Sequence, residues 1–315
     1  MKNILVITYS QTGQLADITA QVVAPLLIAG HRVHLETLVP QTPFPFPWPI
    51  VDFVDAFPEC VQLDPPPLKP LGIPPDVEFD LVILTYQVWY LSPALPMTAF
   101  LISPEGRRAI AGKPVVTLVA CRNMWLSAQQ TMQRLIAEAG GQLRDHLAFV
   151  DQGHPLATFI TTPRWVLTGR RDRFLGLPPA GVSPDEVQRA SRFGHALADA
   201  LAQDGERSGQ PMLGGLQACT VNARLALSER AAFRAFKVWS RLIRACGRRG
   251  QWRRRPMLLV FALYLITLVL TVVPLSLLLQ WLLSPLLAPR LARLRAELEL
   301  PSGSQTFNLN KYEQQ

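Results

Sequence analysis

The sequence predicts an α/β fold: a doubly wound, five-stranded parallel sheet, followed by a basic amphipathic helix and a C-terminal transmembrane helix. Three observations carry that expectation. Short apolar runs alternate with helical patterns from residue 4 to residue 150, at the spacing of right-handed βαβ crossovers. The net charge of +8 is unevenly spread: residues 1–223 hold 16 Lys/Arg against 19 Asp/Glu, and residues 224–315 hold 15 against 4. Residues 256–289 carry no charged side chain at all.

Ile4–Ile7 reads as a buried parallel strand, and Leu15 to about Ile28 as the first helix. His31–Leu38 alternates and ends at Val39-Pro40, which gives a second strand. Pattern then breaks over 40–78, where Pro43, Pro45, Pro47 and Pro49 alternate with Phe44, Phe46, Trp48 and Ile50. Prolines at every second position forbid a helix or a central strand, so this insertion is expected to run extended, as a strap over the core or a lid over a site.

Phe79–Thr85 and Val115–Ala120 are the third and fourth strands, with helices from about Pro96 to Ile102 and from Ser127 to Ala139. Leu143–Val150 is the fifth. Residues 151–181 are rich in glycine and proline and are expected to be irregular. Ser183-Pro184-Asp185-Glu186 has an N-cap, a first-position proline and first-turn acids, and opens a helix running to about Ala202. The expected division is a sheet domain at 1–205, a linker at 206–223, a basic juxtamembrane helix at 224–255, a membrane segment at 256–289 and a polar tail at 290–315.

The basic excess of the last third argues against nucleic acid as a partner of the sheet domain and for a membrane surface. In the helix from about Leu225 to Cys246, Arg230, Arg234, Lys237, Arg241, Arg244 and Arg248 share a stripe opposite Phe236, Trp239 and Ile243, as expected of a membrane-surface helix or, as the alternative, of a surface helix packed on the domain. Met257–Leu283 is long enough to span a bilayer, with a kink expected at Pro274. Eight Lys/Arg precede the span in 237–255 and three follow it, at Arg290, Arg293 and Arg295. The positive-inside rule then expects a single pass in the inner (cytoplasmic) membrane, the N-terminal domain in the cytoplasm and the tail on the far side. A monotopic hairpin bent at Pro274 is the alternative. The apolar run after Asn3 is too short for a signal peptide. The four cysteines form no CxxC pair and no His lies at ligand spacing, so neither a disulfide framework nor a metal site is expected.

In a doubly wound sheet the ligand lies beyond the carboxyl ends of the strands. Ser10, Gln11, Thr12, Gly13, Gln14 and Leu15 form a hydroxyl-bearing turn at a helix start, suited to a phosphate, or equally to an ordinary capped turn. The loops Tyr86–Pro93 and Cys121–Trp125 add Trp89, Tyr90, Asn123 and Trp125. One anion site and two aromatic-bearing loops suit a mononucleotide with a flat tricyclic ring. The absence of GxGxxG argues against a dinucleotide site.

On these residues the first 150 positions resemble a flavodoxin-type FMN-binding domain. Ser10, Thr12 and Gly13 match that family's first-loop pattern, Leu15 stands where a last hydroxyl is usual, and the third loop lacks the glycines common there. A narrower likeness covers most of 1–205. Tyr9–Leu15, the Pro-Phe-Pro-Phe-Pro-Trp-Pro segment and Asp55-Ala56-Phe57-Pro58-Glu59 are similar to the dialkylresorcinol biosynthesis family. Members are often labelled condensing enzymes, but this sequence has no thiolase organisation and no assignable Cys-His-Asn set. The resemblance implies FMN-dependent aromatisation of a dialkyl cyclohexanedione to a resorcinol, with a lipophilic substrate and with a ketosynthase and acyl carrier protein as partners. Candidates for the base are His154, Tyr90 and Tyr86. Cys121 reads as a small buried residue rather than a nucleophile. The rival readings are a flavodoxin-type electron carrier, an NAD(P)H-dependent reductase of membrane quinones, and a tethered scaffold for the ketosynthase.

Overall fold

The apolar runs become strands because each must bury two faces, and the helices between them supply the cover. The structure, a computed structural model, describes residues 1–154, 156–272, 275 and 284–312. Its strands are β1 (Asn3–Thr8), β2 (Arg32–Thr37), β3 (Leu81–Trp89), β4 (Ser92–Pro93), β5 (Pro114–Cys121) and β6 (Gln142–Val150). Five of them are parallel, in the order β2-β1-β3-β5-β6, and the short β4 turns back antiparallel on the end of β3. Counted along the parallel strands alone, that order is 2-1-3-4-5, the order of flavodoxin-like sheets, whose switch point lies between strands 1 and 3.

The helices are α1 (Gln14–Ile28), α2 (Ile50–Asp55), α3 (Phe57–Gln62), α4 (Leu95–Ile102), α5 (Pro104–Ile110), α6 (Leu126–Glu138), α7 (Thr158–Thr168), α8 (Pro184–Gln188), α9 (Ser191–Ala202), α10 (Ala223–Ala245), α11 (Arg255–Thr267), α12 (Ser284–Leu298) and α13 (Leu309–Tyr312). Alternate strand residues feed opposite layers. Ile4, Val6, Ile83 and Val116 pack under α1 and α9. Leu5, Ile7, Leu84 and Val119 pack under α4, α6 and the insertion. A third cluster joins Phe57 of the insertion to Phe236, Ile243 and Phe261 of the C-terminal helices.

Several expectations are corrected. The insertion holds two short helices between Ile50 and Gln62, where the alternating prolines have ended and Pro58 sits in the first turn of α3. Residues 151–181 hold α7, which carries Pro163 inside it. The helix expected from Ser183 to Ala202 is broken into α8 and α9. The loop after Thr85 is strand as far as Trp89, closed by a two-residue turn in which Tyr90 and Leu91 take φ of 50° and 61°. The linker is packed rather than free: Leu213, Leu216 and Ala218 are buried, and Ala148 N–H of edge strand β6 donates to Ala218 O at 2.9 Å.

The apolar face of α10 rests on the insertion rather than on a membrane, with Phe236 and Ile243 buried there, while Arg230, Arg234, Lys237 and Arg241 face outward. Trp252–Thr271 is long and apolar enough to cross a bilayer. The expected kink at Pro274 lies outside the described residues. The tail, expected on the far side of a membrane, is packed against the sheet domain. Ser302 Oγ donates to Asp145 Oδ1 at 2.8 Å and accepts from His146 N–H at 2.8 Å. Lys311 and the Tyr312 hydroxyl both reach Asp199 at 2.9 Å.

Candidate functional site

At the carboxyl ends of β1, β3 and β5 the chain leaves a cavity of about 550 Å³, within the range of small-molecule sites. Four walls form it. The first is the turn into α1, through Gln11, Thr12, Gln14 and Leu15. Gly13 takes φ 87° at the N-cap, a conformation that side-chain-bearing residues rarely adopt. N–H groups in the first turn of a helix have no partner within it. That of Ala16 is bonded to Ser10 Oγ at 3.3 Å, whereas those of Gly13, Gln14 and Leu15 have no acceptor among the described residues. Gln11 steadies the turn. Its N–H donates to Gln87 Oε1 at 3.0 Å, and its side-chain amide donates to Pro45 O at 2.7 Å.

The second wall is the end of β3 with the insertion. Trp89 lies edge-on to Tyr9, Phe44 and Trp48, with ring centroids 5.8, 4.9 and 5.4 Å apart. Phe46, Trp48 and Phe53 line the cavity, so the proline-rich insertion closes it. The third wall follows β5 and β6 and holds Cys121, Arg122, Met124 and Asp151. The Arg122 guanidinium stacks 3.8 Å over the Phe159 ring of α7 and has no ion-pair partner among the described residues. Burial pulls its pKa down to about 10, against the opposing pull of Asp151. Asp151 accepts from Gly153 N–H at 2.7 Å and Gly181 N–H at 2.6 Å, yet burial still raises its pKa above the usual carboxylate value. The fourth wall is Leu265, Ile266, Val269 and Leu270, on α11 and the π-turn Leu268–Val272 that follows it.

The structure brings Gln11, Thr12, Gln14, Leu15, Trp89 and Tyr90 together around this cavity. Ser10 and Gly13 shape the turn without lining it. Tyr90 lines the cavity, but its hydroxyl donates to Phe53 O at 2.6 Å and burial raises its pKa well above the ordinary value, so it is held neutral. Tyr86 is fully buried in the core, bonded to Gln129 Oε1 at 2.8 Å, and does not line the cavity. Trp125 is core, packed 4.8 Å from the His146 ring, and lies with Asn123 beside a separate surface groove. His154 is exposed, its ring accepting from Leu156 N–H at 3.3 Å away from the cavity. The Cys121 thiol is buried, which raises its pKa well above the usual value and keeps it protonated.

Arg122 and Asp151 were missed as site residues. Their signal was positional: each follows directly on the last residue of a parallel strand, where ligands of such sheets bind. The α11 wall had no signal, since its contact with the sheet domain joins distant parts of the chain.

The residues fit FMN. The unbonded N–H groups of Gln14 and Leu15 suit a phosphate, the aromatic walls suit a flat ring, and the cavity joins the two. No family model matches this chain, and no curated protein matches it. Solved structures do resemble it. A flavoprotein in complex with FMN from Lactobacillus acidophilus NCFM is 15% identical, with a TM-score of 0.39 over 47% of this chain and 93% of that one. A flavodoxin from the domain Archaea is 11% identical, with a TM-score of 0.36 over 64% of this chain and 99% of that one. A flavone reductase is 12% identical, with a TM-score of 0.36 over 68% of each chain. These neighbours are flavodoxin-like flavoproteins, several of them flavodoxins or FMN-bound; the fold of this chain rests on its own strand order.

Proposed function

We propose that this chain is an FMN-dependent oxidoreductase of a lipophilic ring substrate, working at a membrane. The observation that supports it is the single cavity shared by a helix-start anion cradle, the Trp89 wall, Arg122 and an apolar helix. FMN, when bound, supplies an acceptor for a hydride. The finer reading takes up the resemblance of residues 1–205 to the dialkylresorcinol family. The substrate is then a dialkyl cyclohexanedione, delivered by a ketosynthase and its acyl carrier protein. The ring loses one hydride and one proton and becomes a dialkylresorcinol.

The chain's own groups divide that work. Arg122 holds the oxygen of the substrate enolate, since a cation with no ion pair among the described residues favours that charge. Asp151 takes the proton from the acidic carbon between the carbonyls. Its raised pKa brings it nearer the operating pH than an ordinary carboxylate, which suits a general base. Asp151 replaces His154, Tyr86 and Tyr90 in that role because the first two lie away from the cavity and the third is committed to Phe53. Phe46, Trp48 and the α11 wall exclude water.

The test is a single turnover without oxygen. FMN-loaded protein mixed with a dialkyl cyclohexane-1,3-dione loses its visible flavin band as the resorcinol forms. An unchanged band with dione, together with rapid NAD(P)H oxidation when a membrane quinone is added, contradicts the aromatase reading and supports the quinone reductase.

A further inference from the structure

The fourth cavity wall is also an outer surface. Ile266 and Leu270 line the cavity and are nevertheless 55% and 70% exposed, so the cavity opens on the exposed side of this helix. That side is apolar throughout: Leu259, Val260 and Leu263 are exposed beside them. The inner side, Leu258 and Phe261, is buried, with Phe261 stacked 3.9 Å from Phe57. A helix facing water puts polar residues outward, and this one does the reverse.

What covers the surface is indicated by its flank. Trp252, 71% exposed, stands among the exposed Arg248, Arg253 and Arg255 at the start of the apolar stretch. Tryptophan with arginines at the edge of an apolar surface is the composition that meets lipid headgroups, the arginines favouring anionic ones. The chain returns to the side from which it left. Arg254 is buried against Asp55 and Glu59 before the apolar stretch, and Leu294 and Leu298 rest on the sheet-domain core after it. The uncharged run 256–289 has 34 residues, and two full crossings need about 40. The exposed apolar face between Leu259 and Leu270 has a helical rise of about 16 Å, close to half of a hydrocarbon core of about 30 Å.

Resting on the membrane reading above, we propose that α11 and the π-turn enter one leaflet from the same side as the sheet domain. The cavity then opens into the lipid, and an amphiphilic ring compound with alkyl chains reaches it laterally from the bilayer. Its ring travels inward toward Trp89 and Arg122 while its chains stay along Ile266 and Leu270.

The test uses the full chain, tagged at both ends and reconstituted in sealed vesicles of phosphatidylcholine and phosphatidylglycerol. A long-chain alkylphenol carrying a diazirine is dissolved in the lipid. Protease added outside removes both tags or neither from each molecule, and light attaches the probe to peptides containing Trp48, Trp89 or Arg122. Leu270→Arg, which puts a charge at the mouth, abolishes that inner-wall labelling. Tags on opposite faces overturn the same-side insertion. Labelling confined to Leu259 and Leu263, or unaffected by Leu270→Arg, overturns lateral access. Neither readout needs FMN, so a chain that binds no flavin can still pass both, and a flavoprotein can fail them.

Discussion

Arg122 and Asp151 are the charged side chains on the cavity wall, and burial moves each toward its neutral form. Replacing Arg122 with Met removes a charge-assisted contact of roughly 1.5–3 kcal/mol, so an anionic ring ligand binds about ten- to a hundredfold more weakly. Calorimetry with flavin-free protein and a dialkyl cyclohexane-1,3-dione, an enolate near neutral pH, reads it, and unchanged affinity contradicts the role. Tyr90→Phe should lose only the bond to Phe53 O, at a cost of about 1 kcal/mol in chemical denaturation, and keep single-turnover flavin bleaching. Loss of bleaching would return Tyr90 to the catalytic role. His146 gives a pH signature apart from the cavity. Burial pushes its pKa down to about 3, below the unfolded value of about 6.5. The unfolded chain therefore takes the proton first as pH falls. Stability present above pH 6.5 is lost down to about pH 3, at roughly 1.4 kcal/mol per pH unit. His146→Leu should show a shallower loss between pH 6.5 and 4; equal slopes contradict it.

Among elements, the insertion and α11 are locked by one buried cation. Arg254 donates to both carboxylate oxygens of Glu59, at 2.9 and 3.0 Å, and to Asp55 O at 2.9 Å, and its Nε lies 2.8 Å from Asp55 Oδ1. Arg254→Met leaves two carboxylates without their partner and is expected to cost about 3–5 kcal/mol, read by the urea midpoint. The strands and their helices were legible in sequence because each apolar run has the length and flanks of a buried parallel strand. The insertion's helices were hidden by the prolines on either side of them. The turn at Tyr90-Leu91 was hidden because it carries no Gly or Asn. Its left-handed residues are held instead by the Tyr90–Phe53 bond and by burial of Leu91. In the site, the first turn was legible from its hydroxyls and Gly13. Trp125 was misplaced because an aromatic residue just after a strand can point into the core as readily as into a crevice.

For the whole molecule, the C-terminal third lines the cavity through Leu265, Ile266, Val269 and Leu270. Its tail covers the β6 edge, and Ser302→Ala should leave the buried His146 N–H without a partner. That lowers stability by about 1–3 kcal/mol, an effect absent if the tail lay across a membrane. The wall it gives to the cavity could not be read from sequence, where α11 and the turn at Gln11–Leu15 are about 250 residues apart. The central claim is that this cavity holds FMN, and the visible spectrum of the purified full chain during FMN titration tests it most directly. One flavin per chain, with shifted bands and a raised thermal midpoint that Gly13→Val abolishes, is the expected result. No bound flavin and no change in midpoint at saturating FMN would contradict it.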